Sequence, residues 1–347
     1  MKRTFYPLIT GALLLFTIPA LLFSGCKNAS GVPDVSGIKI NLQIERFDKD
    51  LFAMDSNRVP EQLPELLKEY PSFAPRFIQN VLFLGPSADT PEVVYRELHR
   101  FLSQNQQLKD SVFKQYPNMD QVKGPLTRCF QFVHYYYPDY PIPKIITFIG
   151  NFGFKNIVTD EGLGIGLDFY MGPRFSYYQI SEVQEVFPSY LSRKFSPEYI
   201  PVDCMNAIID DLYPSDNDTL PLLDQLIDRG KRLYILDRFI PEADDTLKLG
   251  YTGAQYTWCK ANEGQIWNSL VQQNILYSFD PDVIKSYMSD APTTQTMPSA
   301  SPGNIGSFIG EQIVRKYVAR NGGDISPKKL MGIAAKTIFS DAQYNPK

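Results

Sequence analysis

Histidine is scarce in this sequence, which limits the chemistry that the chain can perform. Of 347 residues only His99 and His134 are histidines, and they lie in separate helical stretches without an HExxH motif. Histidine is also the usual base for a serine or cysteine nucleophile, and there is no G-x-S-x-G motif. We therefore expect no metal site and no cofactor, and nucleophilic catalysis has no support.

Cysteine is nearly as rare. Beyond Cys26 the chain contains Cys129, Cys204 and Cys259, and an odd number excludes a fully paired disulfide framework. Each of the three lies in a largely apolar, helical neighbourhood. This placement predicts buried free thiols.

Two further features are missing: an excess of basic residues and, beyond the N-terminus, a long apolar run. The net charge of -4 argues against nucleic-acid partners, because phosphate contacts need a basic face. No later run approaches the roughly 20 apolar residues that cross a bilayer. The chain still has 44% hydrophobic residues, enough for a sizeable core.

The N-terminus is typical of a bacterial lipoprotein. A basic start and an apolar segment lead to Ser24 and Gly25, the order found in secretory signal peptides. Cys26 follows as in a lipobox, whose cysteine is acylated and becomes the new N-terminus. We therefore predict lipid attachment at Cys26. The predicted division is a signal peptide over residues 1–25, a lipid-anchored tether over 26–37 and a single domain over 38–347.

The residues after Cys26 favour the periplasmic side of a membrane. Acidic residues at this place mark some lipoproteins for surface display, and residues 27–30 (KNAS) contain none. The alternative to lipidation, an uncleaved anchor, would also hold the chain on a membrane. Both the inner and the outer membrane remain open.

The middle of the chain contains two β-rich runs, residues 145–149 and 163–171, with turn residues between them. An alternating pattern over residues 38–44 predicts another, half-buried strand. Helical patterns lie on both sides, over residues 90–103, 107–115, 119–136, 197–212, 254–272 and 302–320. These patterns predict an α+β fold: a mostly helical single domain around a small mixed or antiparallel sheet.

Glycines stand out in two of these segments. Gly162, Gly164 and Gly166 superficially resemble a phosphate-binding loop, but a dinucleotide fingerprint opens a helix and these glycines lead into a β-run. We therefore expect no nucleotide binding. Gly306 and Gly310 share one helix face with Gly303, which predicts the close approach of a neighbouring backbone.

Carboxylates leave an enzymatic alternative open, because two acids suffice for glycosidic hydrolysis. The acids expected in or beside packed elements are Asp168, Asp203, Asp210, Asp211, Asp228 and Glu263. Caps and ion pairs account for most acids of this kind. The alternatives are an envelope hydrolase acting on peptidoglycan or peptide, and a ligand-binding module that uses the tyrosines at 170–178 and the loop at 291–301.

Several segments, in order, carry a family resemblance. They are residues 163–172 (LGIGLDFYMG), 197–200 (PEYI), 222–225 (LLDQ), 230–234 (GKRLY), 250–252 (GYT), 258–259 (WC), 291–292 (AP) and 301–306 (SPGNIG), with Glu263 and Trp267 between them. Over roughly residues 38–345 the chain resembles the gliding motility-associated lipoprotein GldB family. The resemblance implies a non-enzymatic envelope lipoprotein that supports motility or an associated secretion machinery through protein partners.

That family is also distantly similar to predicted zinc peptidases with HExxH on a helix. The corresponding helix here passes through residues 203–207 and has none of the required ligands, and the next helix carries Asp228 in a DRG sequence where such enzymes have Glu-Gly. The resemblance allows a zincin-like arrangement whose metal site has been lost. The candidate residues of the remaining groove are Asp168, Tyr170, Asp203, Asp228 and Glu263.

Overall fold

The computed structural model describes residues 31–84, 90–215 and 219–347, with a compact unit over Val35–Lys347. Its four-stranded sheet consists of β1 Ile44–Glu45, β2 Lys144–Phe148, β3 Asn156–Thr159 and β4 Gly162–Gly166. The strand order is β1-β2-β4-β3. β1 and β4 run parallel to β2, and β3 runs antiparallel to β4.

Helices make up most of the fold. They are α1 Phe47–Ala53, α2 Val59–Glu69, α3 Phe73–Val81, α4 Pro91–Gln104, α5 Gln106–Gln115, α6 Asp120–Tyr136, α7 Ser181–Val186, α8 Ser189–Ser192, α9 Ile200–Leu212, α10 Leu222–Phe239, α11 Asp245–Leu249, α12 Gly253–Ala261, α13 Glu263–Gln272, α14 Pro281–Met288, α15 Ile305–Arg320, α16 Pro327–Met331 and α17 Ala335–Ala342. The predicted α+β class, mostly helical around a small mixed sheet, is confirmed. Within the described ranges, no helix is long and apolar enough to cross a membrane.

The two faces of the sheet enter two cores, because successive side chains of a strand point in opposite directions. Ile145 and Leu163 belong to the larger core, which they share with α6, α9, α10 and α15. Ile146 and Ile157 belong to a smaller core shared with α1, α2, α3 and α4. The three predicted thiols are free and buried, as expected.

The glycines of β4 serve packing. A Cβ atom on Gly162 would overlap the carbonyl group of Lys144 on β2, and one on Gly164 would overlap the ring of Phe73. Side chains at these positions would push neighbouring elements away from β4. The glycine-rich run is therefore explained by the close packing of the sheet.

The predicted strand over residues 38–44 is largely wrong. Only Ile44 joins the sheet, although Leu42 is buried and the alternation of burial is real. The carbonyl of Ile38 accepts a hydrogen bond from the side chain of Gln131 on α6 (2.8 Å). The segment is extended because it packs along a helix, and a period of two does not distinguish this from sheet pairing.

The second predicted β-run is also shorter than expected. β4 ends at Gly166, and Leu167–Tyr170 forms a 3-10 turn. The segment between the two runs contains β3, which the sequence reading missed. The chain reverses direction between β2 and β3 and again between β3 and β4, so β2 and β4 are parallel neighbours.

Two predicted helices have different bounds. The helix over residues 254–272 is divided at Asn262, whose side chain donates to the carbonyl of Trp258 (2.8 Å) and closes α12. The helix opened by Pro302 in the prediction begins at Ile305 instead. Asn304 precedes it with a φ of 55°, a left-handed conformation that cannot continue a helix.

Candidate binding groove

In the part of the chain that the structure describes, one edge of β3 is unpaired. It is the last strand in the sheet order, and the carbonyl of Lys155, just before it, accepts a hydrogen bond from Gly166 of β4 (2.8 Å). In an antiparallel ladder, hydrogen-bonded residue pairs alternate with pairs that are not hydrogen-bonded. The backbone N–H and C=O groups of Asn156 and Val158 therefore point away from β4. The side chain of Val158 is 47% exposed at this edge.

Three adjoining cavities follow the edge and form what we term the β3 groove. The middle cavity, about 480 Å³, lies between β3 and α9. It shares Val158 and Asp211 with a cavity of about 780 Å³ on one side. It shares Lys155, Asp203 and Asn206 with a cavity of about 220 Å³ on the other.

Asp203 and Tyr170 are brought together at this groove. Asp203 lies in the first turn of α9, and its Oδ2 accepts hydrogen bonds from Lys155 Nζ and from the Tyr170 hydroxyl, both at 3.0 Å. Among the described residues Oδ1 of Asp203 has no hydrogen-bond partner. Tyr170 is fully buried, and burial, which is the largest cause, raises the pKa of its hydroxyl well above the usual value. Tyr170 is therefore a neutral donor that positions Asp203.

Asp168 is buried inside the core, with no solvent-exposed surface. Its two oxygens accept hydrogen bonds from the backbone N–H groups of Gly150 (3.1 Å) and Phe152 (2.6 Å). Asn151 and Phe152 have φ angles of 49° and 61°, so the carboxylate holds a left-handed loop. Burial raises the pKa of Asp168 to about 6 even though the backbone donors lower it. These contacts give Asp168 a structural role.

The two remaining candidate groove residues, Asp228 and Glu263, have partners elsewhere. Asp228 on α10 accepts from Arg232 Nε (2.7 Å), and Arg232 also pairs with Asp210 (2.8 Å). Glu263 begins α13 and accepts from the hydroxyl of Tyr344 (2.8 Å). Of the candidate groove residues, only Tyr170 and Asp203 therefore meet at the groove, and the predicted acids Asp210 and Asp211 also line its middle cavity. Cys26, the predicted lipid site, lies outside the described residues.

Sequence reasoning missed Arg229, although the DRG sequence that contains it was noted. Arg229 lies on α10 and reaches the wall of the 220 Å³ cavity. Its Nε donates to the hydroxyl of Ser307 on α15 (3.3 Å). The sequence did contain a signal for it, because Arg229 is a basic residue in a helix whose apolar pattern predicts burial.

A cluster of acids that lie in none of the three cavity walls was also missed. Carboxylate oxygens of Asp237, Asp245 and Glu311 lie within 4.8 Å of one another, the spacing of a metal site. However, Lys248 contacts Asp237 at 2.6 Å, and Arg315 contacts Glu311 at 2.8 Å. The contacts explain the cluster as an ion-pair network.

Comparison with known proteins assigns the chain to a protein family. The family model described as "Gliding motility protein GldB" matches residues 28–346. No curated protein and no solved structure matches the chain at a significant level, so the zincin-like arrangement stays a prediction. The family's name marks its members as lipoproteins, which agrees with membrane anchoring. Because the match spans nearly the whole sequence, the chain belongs to the GldB family of gliding motility lipoproteins.

Proposed function

We propose that this protein is a non-enzymatic envelope lipoprotein that binds protein partners and thereby supports gliding motility or the associated secretion machinery. In this proposal a lipid on Cys26 anchors the chain on the periplasmic side of a membrane. The β3 groove is the binding surface. The observation that carries the proposal is the groove's position along an unpaired strand edge.

An unpaired edge beside a groove suits an extended polypeptide. A partner segment can add to the sheet by pairing with the outward N–H and C=O groups of Asn156 and Val158. β3 has four residues, so such pairing covers about 14 Å at roughly 3.4 Å per residue. Main-chain hydrogen bonds would supply affinity, while the side chains of α9 supply specificity.

The alternative function, a hydrolase whose catalytic groups are carboxylates, has little to support it. Three predicted acids line the middle cavity, and each is held by a protein partner. Asp203 contacts Lys155, Asp210 pairs with Arg232, and the hydroxyl of Tyr140 donates to Asp211 (2.8 Å). Each acid therefore has an ion pair or a hydrogen bond with the protein itself, whereas a glycosidase needs one of its two acids free to donate a proton to the leaving group.

Substituting one residue of β3 tests the proposal. Val158→Pro removes an N–H that points away from β4, a change that an edge strand tolerates. Val158→Ala is the matched control because it keeps the N–H. We expect envelope proteins to co-purify with the wild type and with Val158→Ala from solubilised membranes, and to be lost with Val158→Pro.

The melting temperature of each variant must be measured alongside, so that unfolding is recognised. Recovery of the same envelope proteins with a folded Val158→Pro variant would show that the β3 edge is not the binding surface. Peptidoglycan or peptide hydrolysis by the purified wild type, abolished by Asp203→Asn, would establish the enzymatic alternative instead.

A further inference from the structure

The 220 Å³ cavity at the Lys155 end of the β3 groove differs from the rest of the groove in its charge. The charged residues in its walls are the bases Lys155, Lys194, Arg229 and Lys248 and the acids Asp203 and Asp290. Most of the remaining wall is polar or backbone. The bases outnumber the acids, so the cavity is suited to an anionic group.

Three of the four bases are already neutralised by carboxylates. The pairs are Lys155–Asp203 at 3.0 Å, Lys194–Asp290 at 2.6 Å and Lys248–Asp237 at 2.6 Å. Arg229 differs: no carboxylate lies within 4.0 Å of it in the part of the chain that the structure describes. Arg229 therefore supplies the surplus positive charge of the cavity.

The guanidinium of Arg229 is held in place from one side. Its Nε donates to Ser307 Oγ (3.3 Å), and Ser307 in turn donates to Oδ1 of Asn304 (2.7 Å). Its two terminal nitrogens have no hydrogen-bond partner among the described residues. Burial is the main cause that lowers the pKa of Arg229 from its usual value, against nearby acids that raise it. A half-buried charge with free donors gains from an anionic ligand, and a planar guanidinium matches a carboxylate in two hydrogen bonds.

The cavity also offers an acceptor for a ligand N–H group. Oδ1 of Asp203 accepts no hydrogen bond from any residue in the described ranges, while Oδ2 accepts from both Lys155 and Tyr170. A phosphate carries two negative charges near neutral pH and would be repelled by Asp203. The end of a polypeptide carries one carboxylate and adjacent amide N–H groups, so it matches both Arg229 and Asp203.

Building on the proposed function, we infer that this cavity binds the C-terminal carboxylate of the polypeptide that occupies the β3 groove. The carboxylate pairs with Arg229, and a preceding amide N–H donates to Asp203. The cavity lies at the N-terminal end of β3. The bound segment therefore ends there and runs antiparallel to β3.

The direct test uses the purified full-length protein and a pool of randomised tetrapeptides in two forms, with a free C-terminal carboxylate and with a C-terminal amide. Binding is measured by calorimetry at 150 mM salt, about the physiological ionic strength. We expect the amide pool to bind roughly 10- to 100-fold more weakly, the range for loss of a charge-assisted bidentate pair. Arg229→Gln should weaken the binding of the carboxylate pool to the same extent. Arg174→Gln, at an exposed arginine outside the cavity walls, should leave it unchanged.

The comparison of the two pools on the wild-type protein does not depend on the folding of any variant. Equal binding of both pools would overturn the carboxylate inference and leave the proposed function standing. Binding of neither pool would also overturn the inference, and the co-purification with Val158→Pro would then decide the proposed function by itself. Inorganic phosphate that binds more tightly than the carboxylate pool, and loses affinity with Arg229→Gln, would identify a phosphate site and overturn the inference.

Discussion

Among single side chains, Asp168 shows how a buried acid can be structural in this fold. Its carboxylate has no exposed surface and accepts two backbone N–H groups from the loop after β2. The sequence makes it a candidate groove residue because it is an acid expected in or beside a packed element. Burial and two backbone hydrogen bonds instead make it a support for the loop.

The raised pKa of Asp168 predicts a pH-dependent stability. The unfolded carboxyl ionises near its ordinary pKa of 3.8, whereas the folded one keeps its proton up to about 6. Between these values the folded state binds more protons, so the free energy of unfolding falls as pH rises, by at most about 3 kcal/mol. Asp168→Asn cannot ionise and should lack this component.

Urea unfolding of the wild type and Asp168→Asn across this pH interval measures the difference. The wild type should lose stability relative to Asp168→Asn as the pH increases through it. A constant difference between the two proteins would show that Asp168 has the same pKa in both states.

Cys26 carries the anchoring part of the account. Cys26→Ala removes the only thiol that a lipobox could acylate, so the chain should move from the membrane fraction to the soluble fraction. Fractionation of cells that produce each form measures this shift, and an exposed position such as Ser36→Ala serves as control. An unlipidated form that supports motility or secretion as fully as the wild type would contradict the proposed role of the anchor.

Among the helices, α10 and α15 cross in close backbone contact. A Cβ atom on Gly310 would overlap the carbonyl of Leu226, and one on Gly230 would overlap the carbonyl of Gly310. The crossing also places Arg229 beside Ser307. Arg229 directly precedes Gly230 on α10, and Ser307 lies about one turn before Gly310 on α15. The close approach of these two helices therefore positions Arg229 in the wall of the 220 Å³ cavity.

Gly310→Ala should destabilise the protein. The added methyl group meets backbone that cannot rotate away, and such overpacking costs about 1–3 kcal/mol. Gly253→Ala at the exposed start of α12 is the matched control: beyond its sequence neighbours nothing lies within 4 Å of its Cβ position, and alanine at such a compatible glycine position stabilises by about 0.4–1 kcal/mol. Thermal unfolding should rank Gly253→Ala above the wild type and Gly310→Ala below it. Equal stability of the two variants would refute the packing explanation.

The sequence predicted those elements whose signals are local. Caps and periodicity located α4, α5 and α6 to within about two residues, the usual uncertainty of helix ends, and the spacing of small residues predicted the approach at Gly310. Tertiary contacts decided the rest. The segment around Ile38 has alternating apolar and polar residues but packs on a helix. β3 has four residues, too few for a recognisable strand pattern. Arg229 could not be assigned to a cavity, because the walls come from separate parts of the chain.

At the scale of the whole molecule, the chain is a member of a known family and has a groove that suits an extended polypeptide. Nearly the entire chain matches the GldB family, and the groove follows the unpaired edge of the sheet. The proposed lipid on Cys26 would hold this groove beside a membrane, where envelope proteins are available as partners. The central claim is therefore that a partner polypeptide occupies the β3 groove in living cells.

Site-specific photo-crosslinking in intact cells tests this claim most directly. A photoreactive amino acid replaces Val158 at the groove or, as a control, Val186, which is 64% exposed on α7. We predict that residue 158 becomes joined to a discrete envelope protein and that the control position does not. Crosslinks from Val186 alone, or identical products from both positions, would contradict a partner in the β3 groove.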